Sequence, residues 1–440
     1  MDYIRVSVEA CAAVDPAQLH DTIASAKPEI ERMQMAQNTG YESSYASINL
    51  PADDQMQQRI KEVIAQQQRR NPRILVVIGI GGSCLGTTAV HEMLYGRHYN
   101  AGNPTLRVYY VDTIDVDMLH EILHLVEEHL KQGDEVIINV ISKSGTTTET
   151  VVNFEFFFDL VKKYRPQNYQ ESMVITTDEG SKLWEFGAQA GITCLAVPRQ
   201  VGGRYSVLSA VGLFPLGLIG VDIDALCAGA ADAVSRCTSL TLSENDAVRR
   251  AAVLYMHYQA GRMIHDTFVF CVDGESLGKW YRQLVGESLG KAFDREGKLV
   301  HVGITPTVSI GSTDLHSVGQ LYLGGPRDKV TTFIAIEKTK YHLIVPEYAS
   351  FEKLVAKIQG KSVMSILTAI LQGVQHAYMQ SGLPFMTIVL PQKNARYIGQ
   401  LMQMQMLEIM YLGYMFNVDP FDQPQVELYK KETRKILAHE

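Results

Sequence analysis

Short, continuous apolar segments alternate with amphipathic segments along most of this chain. In the first half, the candidate strands are residues 74–78, 106–111, 135–141, 172–176 and 192–197. Between two of them, residues 117–131 place their apolar side chains on one helical stripe. Strands that are apolar on both faces and are separated by helices are typical of a parallel sheet covered on both sides. The pattern therefore predicts an α/β fold.

The same alternation returns in the second half, after a mainly helical stretch at 206–265. The candidate strands there are residues 267–272, 299–303, 330–336 and 385–390. The first seventy residues are expected to be helical, and the last segment, 423–440, is expected to form a polar helix. We therefore predict two three-layer αβα sandwich domains with mainly parallel sheets, plus helical N- and C-terminal segments.

This organisation predicts five regions in a chain of 440 residues, a length that suggests about two or three domains. They are an N-terminal helical segment (1–70), a first α/β domain (71–220), a helical connection (221–265), a second α/β domain (266–416) and a C-terminal helix (417–440). No linker is rich enough in glycine, proline or serine to detach the two halves. We expect the halves to pack together and to leave a cleft at the ends of their strands.

Charge and composition narrow the choice of partners. The net charge of −8 argues against nucleic acid or an anionic membrane as the main partner. No apolar run is long enough to span a bilayer, and the N-terminus lacks the pattern of a signal peptide. The six cysteines, Cys11 among them, are scattered without a Cys-x-x-Cys pair, which favours free thiols and a cytoplasmic location.

The segment Ser-Lys-Ser-Gly-Thr-Thr-Thr-Glu at 142–149 lies between a candidate strand and a candidate helix. Backbone N–H groups and the helix dipole at such a turn attract an anion, and the hydroxyl groups and Lys143 can close around it. The spacing differs from Gly-x-x-x-x-Gly-Lys-Ser/Thr, so we predict a site for a single phosphate group rather than a nucleoside triphosphate. The alternative is helix capping by Thr147 or Thr148, which accounts for only some of the hydroxyl groups.

Two glycine-rich turns follow other candidate strands. Gly-Ile-Gly-Gly-Ser at 79–83 does not fit the dinucleotide fingerprint, because Cys84 stands where its third glycine is needed. This turn is either a tight strand-to-helix connection or a second wall of the phosphate pocket, with Ser83 as a donor. Gly-Gly-Arg-Tyr-Ser at 202–206 either presents the Arg204 guanidinium to an oxyanion or begins a capped helix with a surface arginine.

Three further segments carry polar groups that are ambiguous when taken singly. Gln283 and Glu287 lie on one face of a candidate helix, where Lys291 offers Glu287 an ordinary ion-pair partner. A histidine stands beside an aspartate at 314–316, where a structural role is the more common one. Segment 422–430 would also pass as the start of an amphipathic helix capped by its aspartate.

Taken together, these segments resemble the phosphoglucose isomerase family. The matching motifs are Gly-Ile-Gly-Gly-Ser, Ser-Lys-Ser-Gly-Thr-Thr-Thr-Glu, Gly-Gly-Arg-Tyr-Ser, Gly-Glu-Ser-x-Gly-Lys, Asp-Leu-His-Ser-x-Gly-Gln and Asp-Gln-Pro-x-Val-Glu-x-x-Lys, in the family's order from Gly79 to Lys430. The length is similar to that of the family's shorter bacterial form. The resemblance implies sandwich domains of the sugar-isomerase type. It also implies interconversion of glucose 6-phosphate and fructose 6-phosphate through a cis-enediolate, in glycolysis and gluconeogenesis, without a cofactor.

The resemblance also implies a role for each matching residue. Glu287 matches the base that moves a proton between C2 and C1, and Arg204 matches the residue that faces the enediolate oxygens. His316 and Lys430 match the groups assigned to ring opening. The residues that match substrate-binding positions are Gly82, Ser83, Ser142, Lys143, Ser144, Thr147, Gly203, Gln283 and Gln423. The family is typically a homodimer, with the histidine reaching into the neighbouring site.

The chemistry of the residues agrees with this implication. Proton transfer beside a carbonyl needs a carboxylate free of tight ion pairing and a cation to stabilise the developing oxyanion. The sequence shows no His/Asp/Glu cluster with metal-ligand spacing, which disfavours a metal-assisted hydride shift. Two sites depart from the family pattern: Gln425 replaces a glycine or alanine, and Arg199 and Gln200 replace residues that are often acidic.

Three other functions compete with this interpretation. A sugar-phosphate sensor would need the loop at 142–149 but not Glu287, Arg204 and Lys430 together. An NAD-dependent oxidoreductase is weakened by Cys84 in the fingerprint position. An isomerase that also accepts mannose 6-phosphate remains open, because the choice between epimers depends on small displacements around the sugar hydroxyls.

Overall fold

The computed structural model describes residues 3–8 and 13–438, so Cys11 and both chain ends lie outside the described residues. The strands are β1 (Arg5–Ser7), β2 (Ile74–Ile78), β3 (Arg107–Val111), β4 (Val136–Ile141), β5 (Met173–Thr177), β6 (Thr193–Ala196), β7 (Ile264–Val269), β8 (Lys291–Phe293), β9 (Leu299–Val302), β10 (Thr305–Ile310), β11 (Lys329–Lys338) and β12 (Phe385–Gln392).

The helices alternate with these strands through both halves of the chain. They are α1 (Pro16–Ser25), α2 (Lys27–Ala36), α3 (Asp54–Gln68), α4 (Leu85–Tyr95), α5 (Val116–Lys131), α6 (Thr148–Tyr164), α7 (Lys182–Ala190), α8 (Ala210–Leu218), α9 (Ile223–Cys237), α10 (Asp246–Gln259), α11 (Glu275–Leu289), α12 (Gly319–Gly324), α13 (Ala349–Glu352), α14 (Val363–Gln380), α15 (Ala395–Met415) and α16 (Val426–Leu437).

The first sheet confirms the strands predicted for the first half. Its order is β3-β2-β4-β5-β6, and every neighbouring pair is parallel. Ile78 lies opposite both Val111 and Val140, so the carboxyl ends of the central strands are level. Every residue of β2, β4 and β5 is buried. Strands covered on both faces need apolar side chains throughout, which is why the sequence pattern located them correctly.

The second sheet has the order β1-β12-β11-β7-β10, with β12, β11, β7 and β10 parallel. The strand predicted at 299–303 was wrongly assigned to it, because β9 pairs with β8 in a separate antiparallel ribbon. Its place is taken by β10, which contains Pro306 and three hydroxyl residues. Proline is tolerated on an edge strand, and the hydroxyl groups of Thr307 and Ser309 donate to the buried Asp266 carboxylate.

The N-terminal segment contains the expected helices and one strand that was not expected. β1 is three residues long and pairs antiparallel with β12, so that Val6 lies opposite Ile388. A strand this short and this exposed leaves too little periodicity to be recognised. The start of the chain therefore extends the sheet formed by its second half.

Two glycines let α9 and α15 pack backbone against backbone. A methyl group on Gly229 would lie 1.9 Å from the carbonyl oxygen of Arg396, and one on Gly399 would lie 2.0 Å from the carbonyl oxygen of Leu226. Most residues of α15 are buried, as expected for a helix at the centre of a core. Among the described residues, no helix is both long enough and apolar enough to cross a membrane.

A buried ion pair fixes α11, the helix that carries Gln283 and Glu287. Arg250 Nε donates to Glu408 Oε2 at 2.7 Å, and the Tyr281 hydroxyl donates to Glu408 Oε1 at 2.8 Å. Arg250 and Glu408 are fully buried. Removing one partner of such a pair typically costs about 3–5 kcal/mol. The pair therefore sets the position of α11 relative to α10 and α15.

Gly229→Ala should destabilise the protein by about 1–3 kcal/mol, because the added methyl group forces two packed helices apart. This cost exceeds the gain in helix propensity that alanine brings. A fall in the thermal unfolding midpoint would confirm it. Gly102→Ala is the matched control, because Gly102 has open space around its Cα and needs no unusual φ. Equal midpoints for the two variants would contradict the close approach of α9 and α15.

Candidate active site

Two of the predicted loops leave the same edge of the first sheet. The turn Gly81–Ser83 follows β2, and the loop that starts at Ser142 follows β4, the neighbouring strand. Ser142 is buried and its hydroxyl donates to the Thr147 hydroxyl at 3.1 Å. Ser144 is exposed and accepts a hydrogen bond from the N–H of Thr146 at 3.3 Å. The hydroxyl groups predicted to bind phosphate are thus held close together by the loop itself.

The structure limits the capping interpretation of this loop. Thr147 occupies the N-cap position of α6, but its side chain makes no capping hydrogen bond. Gly145 makes the turn at a φ of +68°, and a methyl group there would lie 2.9 Å from the backbone N of Leu183. The first turn of α6 therefore keeps N–H groups available for an anion, as the phosphate prediction requires.

Lys143 brings a positive charge to the loop without an ion-pair partner among the described residues. The side chain is half-buried, and this burial lowers the pKa of the ammonium group. The charges of Arg199 and Arg204 lower that pKa further, while the carboxylate of Asp178 raises it. Cations therefore outnumber carboxylates here. An anion bound at the loop would relieve their mutual repulsion.

The turn at Gly82 touches the turn at Gly203 directly. A methyl group on Gly82 would lie 2.2 Å from the carbonyl carbon of Gly203. Neither backbone could approach this closely with a larger residue at position 82. The contact joins the turn after β2 of the first sheet to the 3-10 turn Gly203–Tyr205, which carries Arg204.

Arg204 is buried at the centre of a hydrogen-bond cluster, called here the hub. It is not the surface arginine of the alternative interpretation. It is 2% exposed. Its three nitrogens donate to acceptors from distant parts of the chain: Ser288 Oγ at 2.7 Å, Gln423 Oε1 at 2.5 Å, Glu287 Oε2 at 3.3 Å, and the carbonyl oxygens of Pro420 at 2.6 Å and Asp422 at 3.0 Å. A planar guanidinium can serve this many acceptors at once, whereas an ammonium group cannot.

Glu287 is held loosely at the edge of this hub. Its contact to Arg204 is long, and its other oxygen accepts from Gln283 Nε2 at 3.1 Å. Gln283 Nε2 also lies 2.9 Å from the position of a Cβ on Gly81, which places α11 against the first turn. The alternative interpretation, an ion pair with Lys291, is not what the structure shows, because Lys291 donates to Asp422 instead. Glu287 is thus a partly exposed carboxylate without a tight cation partner.

Lys430 is not brought into this cluster. Its ammonium group donates to Glu427 Oε1 at 2.8 Å, and no residue of α16, which is described in full, is buried. Gln425, the departure from the family pattern, has a φ of −67°, so this position does not require glycine.

His316 and Glu287 lie toward opposite ends of the edge strand β10. α11 runs against β10, since Gly278 approaches Val308 and Gly286 approaches Pro306. Glu287 is therefore near the start of β10, whereas His316 is exposed beyond its end. Six extended residues span about 17–20 Å. Within one chain, Glu287 and His316 therefore lie toward opposite ends of β10.

The hub contains groups that the sequence reasoning missed. Ser288 and the carbonyl oxygens of Pro420 and Asp422 hold Arg204, and the Tyr205 hydroxyl also bonds to Ser288, at 3.1 Å. Ser288 and Asp422 lie inside the motifs, which is the only signal that could have pointed to them. In the described part of the chain, no group of three or more His, Cys, Asp or Glu side chains is placed to hold a metal ion.

The fold is that of known sugar-phosphate isomerases. A crystal structure of glucose-6-phosphate isomerase from Chlamydia trachomatis matches with a TM-score of 0.82 at 21% identity, covering 97% of this chain and 86% of its own. A hypothetical protein from Thermus thermophilus matches with a TM-score of 0.86 at 29% identity, covering 99% of this chain and all of its own.

Comparison of sequences gives the family. The model of the family described as phosphoglucose isomerase matches residues 45–440. Glucose-6-phosphate isomerase from Streptococcus mutans is 36% identical over 400 residues, or 89% of this chain and 86% of the relative. The enzyme of that name from Carboxydothermus hydrogenoformans is 33% identical over 388 residues, or 86% and 82%. The chain belongs to the phosphoglucose isomerase family, as its motifs predicted.

Ser288→Ala should lower stability by about 1–3 kcal/mol, because it leaves a buried N–H of the Arg204 guanidinium without an acceptor. Thermal or urea unfolding would measure the loss. Ser25→Ala is a suitable control, since the Ser25 hydroxyl is exposed and bonds only to the local carbonyl of Thr22. That variant should change stability by no more than about 0.5 kcal/mol. Similar values for both would show that Ser288 does not support the buried cation.

Proposed function

We propose that this protein interconverts glucose 6-phosphate and fructose 6-phosphate by proton transfer through a cis-enediolate. The observation that carries the proposal is Glu287, a partly exposed carboxylate without a tight ion pair, at the edge of the buried Arg204 guanidinium. A base must be free to accept a proton, and the enediolate needs a fixed positive charge beside it. Family membership supports the same reaction.

The phosphate of the substrate would bind at the loop after β4. Ser142, Ser144 and Thr147 supply hydroxyl groups and α6 supplies backbone N–H groups, with Ser83 on the neighbouring turn. Lys143 adds charge that no described carboxylate neutralises by direct contact. Binding at this end uses a non-reacting part of the substrate to position its carbon atoms, which is an efficient use of binding energy.

The reaction would then take place between Glu287 and Arg204. Glu287 removes the proton from C2, and the electrons of the broken C–H bond form the C1–C2 double bond while negative charge develops on oxygen. Arg204 faces the enediolate oxygens and stabilises this charge. Glu287 returns the proton to C1 while the C2 hydroxyl loses its proton and O1 gains one, so that the C2–O bond becomes the carbonyl of the ketose. Gln283 and Gln423 would line the sugar, and Gly82 and Gly203 would let the backbone approach it.

We further propose a homodimer in which His316 serves the neighbouring site. In support, His316 and Glu287 of one chain lie toward opposite ends of β10. In addition, the segment after β11 exposes large apolar side chains that a monomer would be expected to bury: Tyr341, Leu343, Ile344, Tyr348, Phe351, Leu354 and Val355. α14 follows, and only Leu371 and Tyr378 of its 18 residues are buried. Exposed apolar surface on this scale is typical of a protein interface.

Lys430 would assist ring opening only after α16 moves or is covered. This helix exposes Leu428, Ile436 and Leu437, so its apolar side has no partner within the described chain. The same proposal includes the division into α/β domains at 71–220 and 266–416 and a cytoplasmic location. The described cysteines are free, which agrees with a reducing compartment. Activity on mannose 6-phosphate stays an alternative, because no described contact distinguishes the C2 epimers.

Glu287→Gln should lower kcat for fructose 6-phosphate by about 10²–10⁴-fold, because the amide cannot accept the proton that leaves C1 of the ketose. The KM should change little, since the phosphate loop is untouched. The assay couples product glucose 6-phosphate to its oxidation and includes a chelator. Glu275→Gln on the same helix is the control and should keep wild-type kcat. A fully active Glu287→Gln would contradict the mechanism, and a wild type active only with added metal would contradict the metal-independent route.

Mixed dimers of Glu287→Gln and His316→Ala subunits should regain activity on glucose 6-phosphate that neither homodimer shows. If His316 serves the neighbouring site, one of the two sites contains both native groups. Differently tagged subunits, co-expressed and purified through both tags, provide the mixed dimer. Activity no higher than the mean of the two homodimers would show that His316 acts within its own chain or not at all.

A further inference from the structure

Two cations of this chain converge on one short segment, residues 420–423, between α15 and α16. Arg204 Nη2 donates to the carbonyl oxygens of Pro420 and Asp422, and Arg204 Nη1 donates to Gln423. Lys291 Nζ donates to the carbonyl oxygen of Asp422 at 2.5 Å and to Asp422 Oδ1 at 2.6 Å. The carbonyl oxygen of Asp422 is therefore shared by both cations.

Lys291 is committed to this segment by its burial. Its side chain is 4% exposed, while the side chain of Asp422 is 51% exposed. Burial lowers the pKa of the Lys291 ammonium group, and the contacts with Asp422 oppose that shift. A buried ammonium group is costly unless its donors are satisfied, and both acceptors seen here belong to one residue. Loss of the contacts with Asp422 would leave the buried ammonium group without these acceptors, so the contacts hold Asp422 in place.

The backbone turns Lys291 away from Glu287, although only four residues separate them. α11 ends at Leu289, and Gly290 takes an extended conformation with ψ of 95°. Lys291 then begins β8, which leaves the helical face that carries Glu287. The pairing that a continuous helix would favour is replaced by a pairing 131 residues away in sequence.

We propose that Lys291 is a positioning residue for the isomerase reaction. Through Asp422 it fixes the segment 420–423, and this segment in turn orients the Arg204 guanidinium and the Gln423 side chain toward the substrate. The same contacts keep its charge away from Glu287. This inference rests on the proposed function, but its physical claim about the segment can be measured without any turnover.

Lys291→Gln should lower kcat about 10- to 100-fold, the effect expected when catalytic groups shift by about 1 Å. The KM should change much less, because Lys291 lies on the β8–β9 ribbon, whereas the phosphate loop follows β4 of the first sheet. Lys279→Gln is the matched control: Lys279 pairs with Glu275 at 2.8 Å on the same helix and should leave kcat unchanged. Wild-type kcat in folded Lys291→Gln would overturn the proposal.

Asp422→Ala removes the side-chain acceptor of the same contact from its exposed end and keeps the carbonyl oxygen that accepts from Lys291, so it keeps the test decisive. It should lower kcat in the same direction, and the double variant should be no worse than Lys291→Gln alone. Multiplicative losses in the double variant would contradict a shared path. Hydrogen–deuterium exchange of residues 419–424 should be faster in both single variants than in the wild type and Lys279→Gln. Unchanged exchange would overturn the positioning role even if the protein catalysed another reaction.

Discussion

The buried guanidinium of Arg204 is the interaction on which the rest of the site depends. An arginine with 2% exposure would be strongly unfavourable without acceptors, and the chain supplies them from Ser288, Glu287 and the segment 420–423. All of these acceptors come from the second half of the sequence, whereas Arg204 comes from the first half, so satisfying one cation joins the two halves. Because neutral oxygens make its short contacts, the charge remains available for a developing oxyanion.

The same arrangement leaves the Glu287 carboxylate without a tight ion pair. Arg204 lies near Glu287 in space, but it makes shorter hydrogen bonds to Ser288, Pro420 and Gln423. Lys291 lies near Glu287 in sequence, but it forms its ion pair with Asp422. The carboxylate is left with long contacts to Arg204 and Gln283. A carboxylate that could act as the proposed base therefore lies beside a buried cation without a tight ion pair.

The fold could be predicted from the sequence wherever burial on both faces forces continuous apolar strands, as in β2, β4 and β5. The prediction missed β1 and β10 and placed β9 in the wrong sheet, because edge strands are partly exposed and their patterns resemble loops or ribbons. The site motifs singled out Arg204 and Glu287, which lie in contact in the structure, and the loop at 142–149, which is proposed to bind phosphate. They could not show that Lys291 binds Asp422 or that the carbonyl oxygen of Pro420 holds Arg204, because a backbone acceptor has no sequence signature. Nor could the spacing of the motifs in the sequence reveal that His316 and Glu287 lie toward opposite ends of β10.

Incorporation of solvent deuterium into the product distinguishes proton transfer through a carboxylate from direct transfer of hydrogen between the two carbon atoms. Glucose 6-phosphate would be converted in D₂O with a chelator present, and the product fructose 6-phosphate would be analysed by NMR at C1. A proton held by Glu287 can exchange with solvent before it returns, so the account predicts deuterium at C1 in product isolated at low conversion. Product that carries no deuterium above the enzyme-free background would show direct transfer of hydrogen between the carbons and would contradict the account.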